Sequence, residues 1–402
     1  MKKIDRKFLY ICLSIGGMVF LSVFYVSLWN VQLKTPKIYR HADYMAFYAA
    51  GDIAKTGTLS ALYDLEQQHA VQERVSDRTL DLEELYSYNH PPFIVPVLGV
   101  ITDENYVASF SRWGIVLLIF NALVTYILSK NLQYERSWEG ILFFVAVLLF
   151  YPSFMGILKG QDTGILLLGV SIWMIGFLRG KDKVAGLALS LVTLRPHIAL
   201  VLAIPFLFNR RNVFKWFVVG ASVLTFFSIA LIGFEGTFDY IELLRISSRG
   251  DGFQLRPDAM FNLVGIFARS SFTISHKSLE MVGWLGFGLV ILGLSFFWAK
   301  SKEITEKHLS IAIILGILSA PHLHYHDLSL LILPLIVLFQ WALSHGHMEM
   351  SLGIFSLVGL SVLLVFNHYL PSIYLLPYLL MIAMLFFFIW HSLPYLDRSQ
   401  KR

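Results

Sequence analysis

The sequence predicts an all-α protein that crosses a membrane about twelve times, as a single multi-span domain over residues 1–402. Of the 402 residues, 56% are hydrophobic and only 15% are charged, and the mean hydropathy is +0.65. Soluble globular chains rarely have that balance. Apolar runs of about 18 residues or more recur along the chain, and each can cross a hydrocarbon layer of ~30 Å as a helix.

Seven apolar runs give the clearest spans: residues 8–29, 107–128, 213–234, 279–298, 328–343, 352–366 and 373–390. A basic stretch precedes the first run, as in a cleaved signal peptide. The run is too long for a signal core, however, and no small-x-small cleavage pattern follows it, so we expect it to remain as a span. The only cysteine, Cys12, lies in this run. A disulfide framework and a cysteine-based metal site are therefore excluded.

The net charge of +5 comes largely from Lys and Arg residues in short loops, such as 179–183, 210–215 and 300–307. The positive-inside tendency places these loops and both chain ends in the cytoplasm, and the basic balance does not indicate a nucleic-acid partner. To keep this orientation, we expect residues 91–101 to form a re-entrant or interfacial helix. We also expect residues 184–208 to divide at Arg195-Pro196 into two short membrane helices, because proline disfavours continuation of a helix.

The remaining polar segments then lie on the outer side of the membrane. They are a first extracytoplasmic loop over residues 30–106, with interfacial helices and the re-entrant segment, a second loop over residues 235–277, and short segments around Gln161, Arg195 and His324. Unpaired polar groups at membrane depth cost several kcal/mol. The convergence of these polar segments on one face therefore predicts a water-filled cavity for chemistry or transport, at the extracytoplasmic face of the cell (inner) membrane.

The first outer loop begins with a helical pattern. Tyr44, Phe47 and Tyr48 share one face of that helix, which suits the membrane interface. Asp43 precedes its first turn. An aspartate in that position is either a helix N-cap or a functional carboxylate beside the cavity.

The chain also carries an ordered set of motifs from the first span to about residue 326. They are Asp43-Tyr44-x-x-Phe47-Tyr48-Ala49-Ala50-Gly51, Gly57 with Leu62-Tyr63-Asp64, His90-Pro91-Pro92-Phe93, Gly160-Gln161, Arg195-Pro196 and Asn262. This set resembles the polytopic GT-C glycosyltransferases of family 87, the polyprenyl-phosphate-mannose-dependent mannosyltransferases and their relatives. The family often has Tyr before the Pro-Pro pair, Asn after Gly-Gln and Lys before the later Pro. This chain has His90, Asp162 and Arg195 at those positions.

The resemblance implies a GT-C fold and a membrane hexosyltransferase. Such an enzyme moves a sugar, mannose by family default, from a polyprenyl-phosphate donor to a lipid-linked or cell-envelope glycan. In that family the acidic residue of the first outer loop acts as the catalytic base, which is Asp43 here. It would accept the proton of the attacking hydroxyl in a single displacement that inverts the anomeric centre.

The other predicted site residues contact the donor phosphate or line the cavity. We expect Arg195, His322 and His324 to bind the phosphate, because they supply positive charge and N–H donors at the outer face. No metal or other cofactor is expected, since one guanidinium and the histidines can neutralise one phosphate. The residues expected to line the substrate cavity are Tyr44, Tyr48, His90, Gln161, Asp162, Asn262 and His326.

Several alternatives stay open at this point. Arg195 can instead extend toward lipid headgroups, and Asn262 can cap a helix. The histidines at 322, 324 and 326 can line an extended strand as metal ligands.

Two other functional classes compete with the transferase. A transporter or flippase predicts internal repeats and charges at mid-membrane, and neither is evident. A scaffold subunit would not need the polar residues to converge. The expected partners are therefore a lipid-phosphate-linked sugar, a glycolipid or glycan acceptor and membrane lipids.

Overall fold

The computed structural model describes residues 5–57, 59–130, 137–248, 256–270, 274–370 and 374–392, and within them the chain is helical and has no β-strand. The α-helices are α1 (Arg6–Lys34), α2 (Pro36–Tyr39), α3 (Tyr44–Thr56), α4 (Leu65–Ser76), α5 (Val95–Ile101), α6 (Tyr106–Ser129), α7 (Ser137–Leu148), α8 (Tyr151–Lys159), α9 (Thr163–Leu178), α10 (Asp182–Leu191), α11 (Pro196–Ala203), α12 (Arg211–Ser248), α13 (Leu263–Ala268), α14 (His276–Lys300), α15 (Glu306–Ser319), α16 (Ile332–Ser344), α17 (Met350–Tyr369) and α18 (Leu376–Ser392). Short 3-10 segments cover Leu59–Ala61, Leu82–Glu84, Pro92–Ile94, Val192–Leu194, Ile204–Leu207, Pro257–Ala259 and Tyr325–Leu331.

The structure is that of a multi-pass membrane protein. Among the described residues, six helical stretches are long and apolar enough to cross a bilayer: α1, α6, α12, α14, α17 and Tyr325–Ser344. Helices α7 and α8 together form a seventh candidate, bent by 48°, and four shorter apolar stretches are Pro92–Ile101, α9, Pro196–Leu207 and α18. The count of about twelve spans and the GT-C architecture stay predictions.

Six of the seven apolar runs are helical over their described residues, apart from a break at Gly233. In the run 373–390, residue 373 lies outside the described residues, residues 374 and 375 form a turn, and the helix begins at Leu376. The second outer loop differs from the expectation, because α12 continues through its first part to Ser248. At Gly233 the backbone takes φ 71° and ψ −177°, a conformation open to glycine, and helix resumes after this break. Residues 249–255 and 271–273 of this loop lie outside the described residues.

The segments predicted to be cytoplasmic contact one another at one end of the bundle. Arg210 forms an ion pair with Asp182 at 3.0 Å. Asn209 donates hydrogen bonds of 3.0 Å to the carbonyls of Trp298 and Ser301. Three loops that are far apart in sequence therefore share one end of the bundle, as the charge pattern predicts.

The segments predicted to be outer also contact one another. The Tyr63 hydroxyl donates a 2.6 Å hydrogen bond to the His90 carbonyl, and its ring lies 4.6 Å from that of Tyr240, centroid to centroid. The second outer loop is attached to residues 322–327, here called the histidine segment, because the Phe261 amide donates to the Leu323 carbonyl at 3.1 Å. These contacts bring the polar segments of the first and second loops to the same region as residues 320–327.

Candidate active site

Asp43 lies immediately before α3 and is half-buried. Its side chain makes no capping hydrogen bond to the helix. Instead, its Oδ2 accepts a 2.9 Å hydrogen bond from the Nε2 of Gln161. Of the two roles that the sequence left open, the structure disfavours the N-cap, since the carboxylate bonds to Gln161 and not to the helix it precedes.

Gln161 is held in place by the turn that ends α8. Gly160 has φ +73°, its amide donates to the Ile157 carbonyl at 3.0 Å, and the Gln161 amide donates to the Gly156 carbonyl at 2.8 Å. These are the two hydrogen bonds of a Schellman motif, which requires a left-handed residue and therefore favours glycine. The Gly160 carbonyl in turn accepts from the Trp113 indole at 2.8 Å. The turn is thus fixed on both sides, and it directs the side-chain carboxamide of Gln161 at Asp43.

Arg195 lies where the chain breaks between two short helices, as the Arg195-Pro196 pair predicts. The 3-10 segment Val192–Leu194 ends there and α11 begins at Pro196. The side chain of Arg195 is only 12% exposed, so its guanidinium is directed inward. Its Nη2 donates a 3.1 Å hydrogen bond to the Oε1 of Gln161. One carboxamide therefore joins the carboxylate of Asp43 to the guanidinium of Arg195.

The charges fix the orientation of this carboxamide. Its NH2 group faces the Asp43 carboxylate and its oxygen faces the Arg195 guanidinium. In the flipped orientation the oxygen would face a carboxylate and the NH2 group would face a cation, and both contacts would be repulsive. Gln161 therefore has one favourable arrangement between the two charged groups.

Two buried carboxylates compensate the charge of Arg195. Asp162 Oδ1 lies 3.0 Å from Nη2, and Asp327 Oδ1 lies 3.6 Å from Nε. Burial by itself would raise the pKa of Asp162, but the adjacent Arg195 and His90 outweigh it and hold the pKa well below its usual range. Asp162 is therefore ionised at neutral pH.

His90 lies between the guanidinium and one of these carboxylates. Its Nδ1 is 3.0 Å from Arg195 Nη1 and 3.1 Å from Asp162 Oδ2. One ring nitrogen cannot accept from the guanidinium and donate to the carboxylate at the same time, so the tautomer of His90 decides which contact is a hydrogen bond. Whether Nδ1 carries a hydrogen therefore determines whether His90 bonds to Arg195 or to Asp162.

The histidine segment packs against the same network. The Asp327 Oδ2 accepts from the His324 amide at 3.2 Å and lies 3.6 Å from the buried His326 ring. The rings of His322 and His324 are 4.7 Å apart, centroid to centroid. Burial lowers the pKa of both rings, that of His324 to about 4, with the Asp43 carboxylate opposing the shift at His324. Both rings are therefore neutral at pH 7, when each carries one N–H donor.

Three residues predicted to line the cavity are used in packing. Tyr44 and Tyr48 are 1% and 2% exposed. The Tyr44 ring stacks on Phe110 at 4.6 Å, and the Tyr48 hydroxyl donates to the Asp103 carbonyl at 2.8 Å. Asn262 is the helix cap that the sequence left as its alternative, because its Oδ1 accepts from the Gly265 amide at 2.8 Å. Substrate contact by these three side chains stays a prediction.

Sequence reasoning did not assign a role to Asp327 or His197. Asp327 directly precedes the apolar run 328–343, and a carboxylate at the edge of a span needs a partner, which is a signal for a buried pair. His197 lies two residues after Arg195, and its Nε2 is buried with no hydrogen-bond partner among the described residues. Nothing in the spacing of the sequence distinguishes it from the exposed histidines.

Among the described residues, no group of three or more His, Cys, Asp or Glu side chains is arranged to hold a metal ion. The histidine segment departs from an extended strand, because a 3-10 helix begins at Tyr325. His326 therefore does not continue the alternation that the metal alternative requires. The expectation of a reaction without a metal or cofactor stays a prediction.

Comparison with known proteins adds one result. A model of glycosyltransferase family 87 matches residues 88–321, more than half of the chain, whereas no curated protein and no solved structure matches. The matched region includes His90, Gln161, Asp162 and Arg195. Asp43 precedes it and residues 322–327 follow it, but the hydrogen bonds above join both segments to it. The family resemblance of the motifs is thus confirmed, and the chain belongs to glycosyltransferase family 87.

Proposed function

We propose that the protein transfers a sugar from a polyprenyl-phosphate donor to a lipid-linked or cell-envelope glycan, at the extracytoplasmic face of the membrane. Mannose is the first sugar to test, because the motifs resemble mannosyltransferases. Membership of a transferase family disfavours the transporter alternative. The observation that carries this proposal is the chain of hydrogen bonds from Asp43 through Gln161 to Arg195.

Asp43 has the properties of a general base in this arrangement. It is half-buried, so an acceptor hydroxyl can reach it, and Gln161 is the one described side chain that hydrogen-bonds to its carboxylate. Its Oδ1 is thus left for the acceptor. A positioned base of this kind contributes about 10²–10⁴ in rate.

The reaction is a single displacement. The acceptor oxygen forms a bond to the anomeric carbon while the bond from that carbon to the phosphate oxygen breaks. The electron pair of the broken bond leaves with the polyprenyl phosphate, and the hydroxyl proton passes to Asp43. Because attack and departure occur on opposite faces, the anomeric configuration inverts.

The donor phosphate is proposed to lie on the side of His322 and His324. As neutral rings they can each donate an N–H to phosphate. Arg195 adds positive charge to this region, but all three of its nitrogens already contact protein acceptors. Its main contribution in this proposal is to hold Gln161, and through it Asp43, in position.

Replacement of Asp43 by Asn tests the proposal. The purified protein in lipid is supplied with a panel of radiolabelled polyprenyl-phosphate sugars, and the transferred label is followed. Asp43→Asn should lose nearly all transfer, since an amide cannot accept the proton at neutral pH. Asp52→Asn is the matched control: Asp52 lies on α3, the helix that Asp43 precedes, but forms an ion pair with Arg74 at 2.6 Å. Transfer by Asp43→Asn at the rate of the control would remove Asp43 from the mechanism.

A further inference from the structure

A second polar region adjoins the segment that carries Asp43. It is a cavity of about 430 Å³ between the short helix α2 and the turn after it on one side, and α4 with residues 78–86 on the other. This volume is in the range of sites for small ligands. Arg40, His41 and Met45 line the cavity, so it shares its wall with the residues on both sides of Asp43.

The cavity is positively charged. Three cationic side chains and one carboxylate line it: Lys37, Arg40, Arg78 and Glu84. Arg78 and Glu84 neutralise each other through two hydrogen bonds of 2.8 and 3.0 Å. Lys37 and Arg40 form no ion pair with any residue that the structure describes, and the Nε of Arg40 is buried with no hydrogen-bond partner there. A buried N–H without a partner is costly, and an anionic ligand would satisfy it.

Tyr86 connects the cavity to the segment that carries Asp43. It lines the cavity, and its hydroxyl donates to the His41 carbonyl at 3.3 Å. Burial raises the pKa of Tyr86 to about 12, and the carboxylates of Asp43 and Glu84 act in the same direction. The phenol therefore stays protonated, and it lies near enough to Asp43 to experience its charge.

We infer that this cavity binds the acceptor, and that the acceptor is a saccharide carrying an anionic group next to the hydroxyl-bearing ring. The inference rests on the proposed function, in which Asp43 takes its proton from the acceptor. A site that shares the flanking residues of the base is suited to present that hydroxyl. The donor phosphate is assigned to the histidine segment, so Lys37 and Arg40, which form no ion pair with any described residue, remain for the acceptor.

The anionic group is either a phosphate or a carboxylate, and a binding experiment distinguishes them. The full-length protein in neutral phosphatidylcholine nanodiscs is titrated with mannose 6-phosphate, glucuronate and mannose, and dissociation constants are measured by calorimetry. We expect at least one anionic sugar to bind at least tenfold more tightly than mannose. Preference for mannose 6-phosphate assigns a phosphate to the acceptor, and preference for glucuronate assigns a carboxylate.

The variants Arg40→Gln and Lys37→Gln should each weaken binding of the anionic sugar about tenfold or more. Arg74→Gln is the matched control, because Arg74 is an arginine of the same loop that lies outside the cavity lining. The inference is overturned if no anionic sugar binds more tightly than mannose, or if Arg40→Gln and Lys37→Gln bind as the control does. Asp43→Asn should keep this binding. Retained transfer by Asp43→Asn would therefore count against the proposed function, whereas unchanged binding by Arg40→Gln would count against the cavity.

Discussion

The turn at Gly160 offers a test of the site that removes no polar group. An alanine Cβ at this position would lie 2.5 Å from the Cβ of Tyr44 and 3.2 Å from its Cα. Carbon atoms in contact prefer about 3.5–4.0 Å, so the two segments must separate by about 1 Å. Because Gly160 precedes Gln161 and Tyr44 follows Asp43, this separation acts directly on the 2.9 Å hydrogen bond between Gln161 and Asp43.

Gly160→Ala should therefore lower the rate of sugar transfer about 100-fold, since a misplacement of about 1 Å can cost 10²-fold. Gly57→Ala is the matched control. Gly57 has φ +80° and no heavy atom within 4 Å of the added Cβ, so it incurs similar backbone strain, about 1–2 kcal/mol, without the clash.

The assay is the initial rate of label transfer at saturating donor, with melting temperature measured by intrinsic fluorescence to show that both variants are folded. If Gly160→Ala transferred sugar within threefold of Gly57→Ala, the contact between Gln161 and Asp43 would not be needed for catalysis.

Three further outcomes follow from the same network. Gln161→Leu removes the hydrogen bonds to both Asp43 and Arg195, so kcat should fall about 10–100-fold with little change in the donor KM; a change confined to KM would indicate substrate binding instead. Asp327→Asn deprives Arg195 of one of its two carboxylates and should lower both the melting temperature and kcat, whereas an unchanged melting temperature would show that the 3.6 Å contact contributes little. Burial lowers the pKa of His324 to about 4 in the folded protein. Between pH 4 and about 6.5 the unfolded chain therefore binds more protons than the folded protein, so the free energy of unfolding decreases as the pH falls through this window. His324→Gln should therefore show a smaller loss of melting temperature from pH 7 to pH 5 than the wild type, and an equal loss would contradict the assignment.

Helix positions followed closely from the sequence, because membrane spans depend on long apolar runs. The break at Arg195 was also predictable, since it depends on local proline chemistry. The extension of α12 beyond Gly233 was not. The apolar run ends at Phe234, so the sequence places the start of the outer loop at Glu235. The helix that resumes there packs against the first outer loop, since an added Cβ on Gly236 would lie 2.8 Å from the Ser60 carbonyl oxygen.

For the candidate site, the sequence named Asp43, Gln161 and Arg195 as candidates but did not reveal that hydrogen bonds connect them. The motif order gives residue types along the chain, whereas the hydrogen bonds join residues 118 and 34 positions apart. For Tyr44 and Tyr48, the sequence predicted the helix but not the environment of the side chains. Their helical spacing suits an interfacial face equally well as a buried one, and the decision comes from Phe110 and the residues around it, which local periodicity does not reveal.

Gln161 separates two opposite charges by the length of one amide. A carboxylate in direct contact with a guanidinium is a poor proton acceptor, because the cation stabilises its ionised form. Gln161 is uncharged, so Arg195 can hold it, and through it Asp43, in position without the guanidinium lying against the carboxylate. The site thus holds the carboxylate of Asp43 in a fixed position while the guanidinium of Arg195 stays one carboxamide away from it.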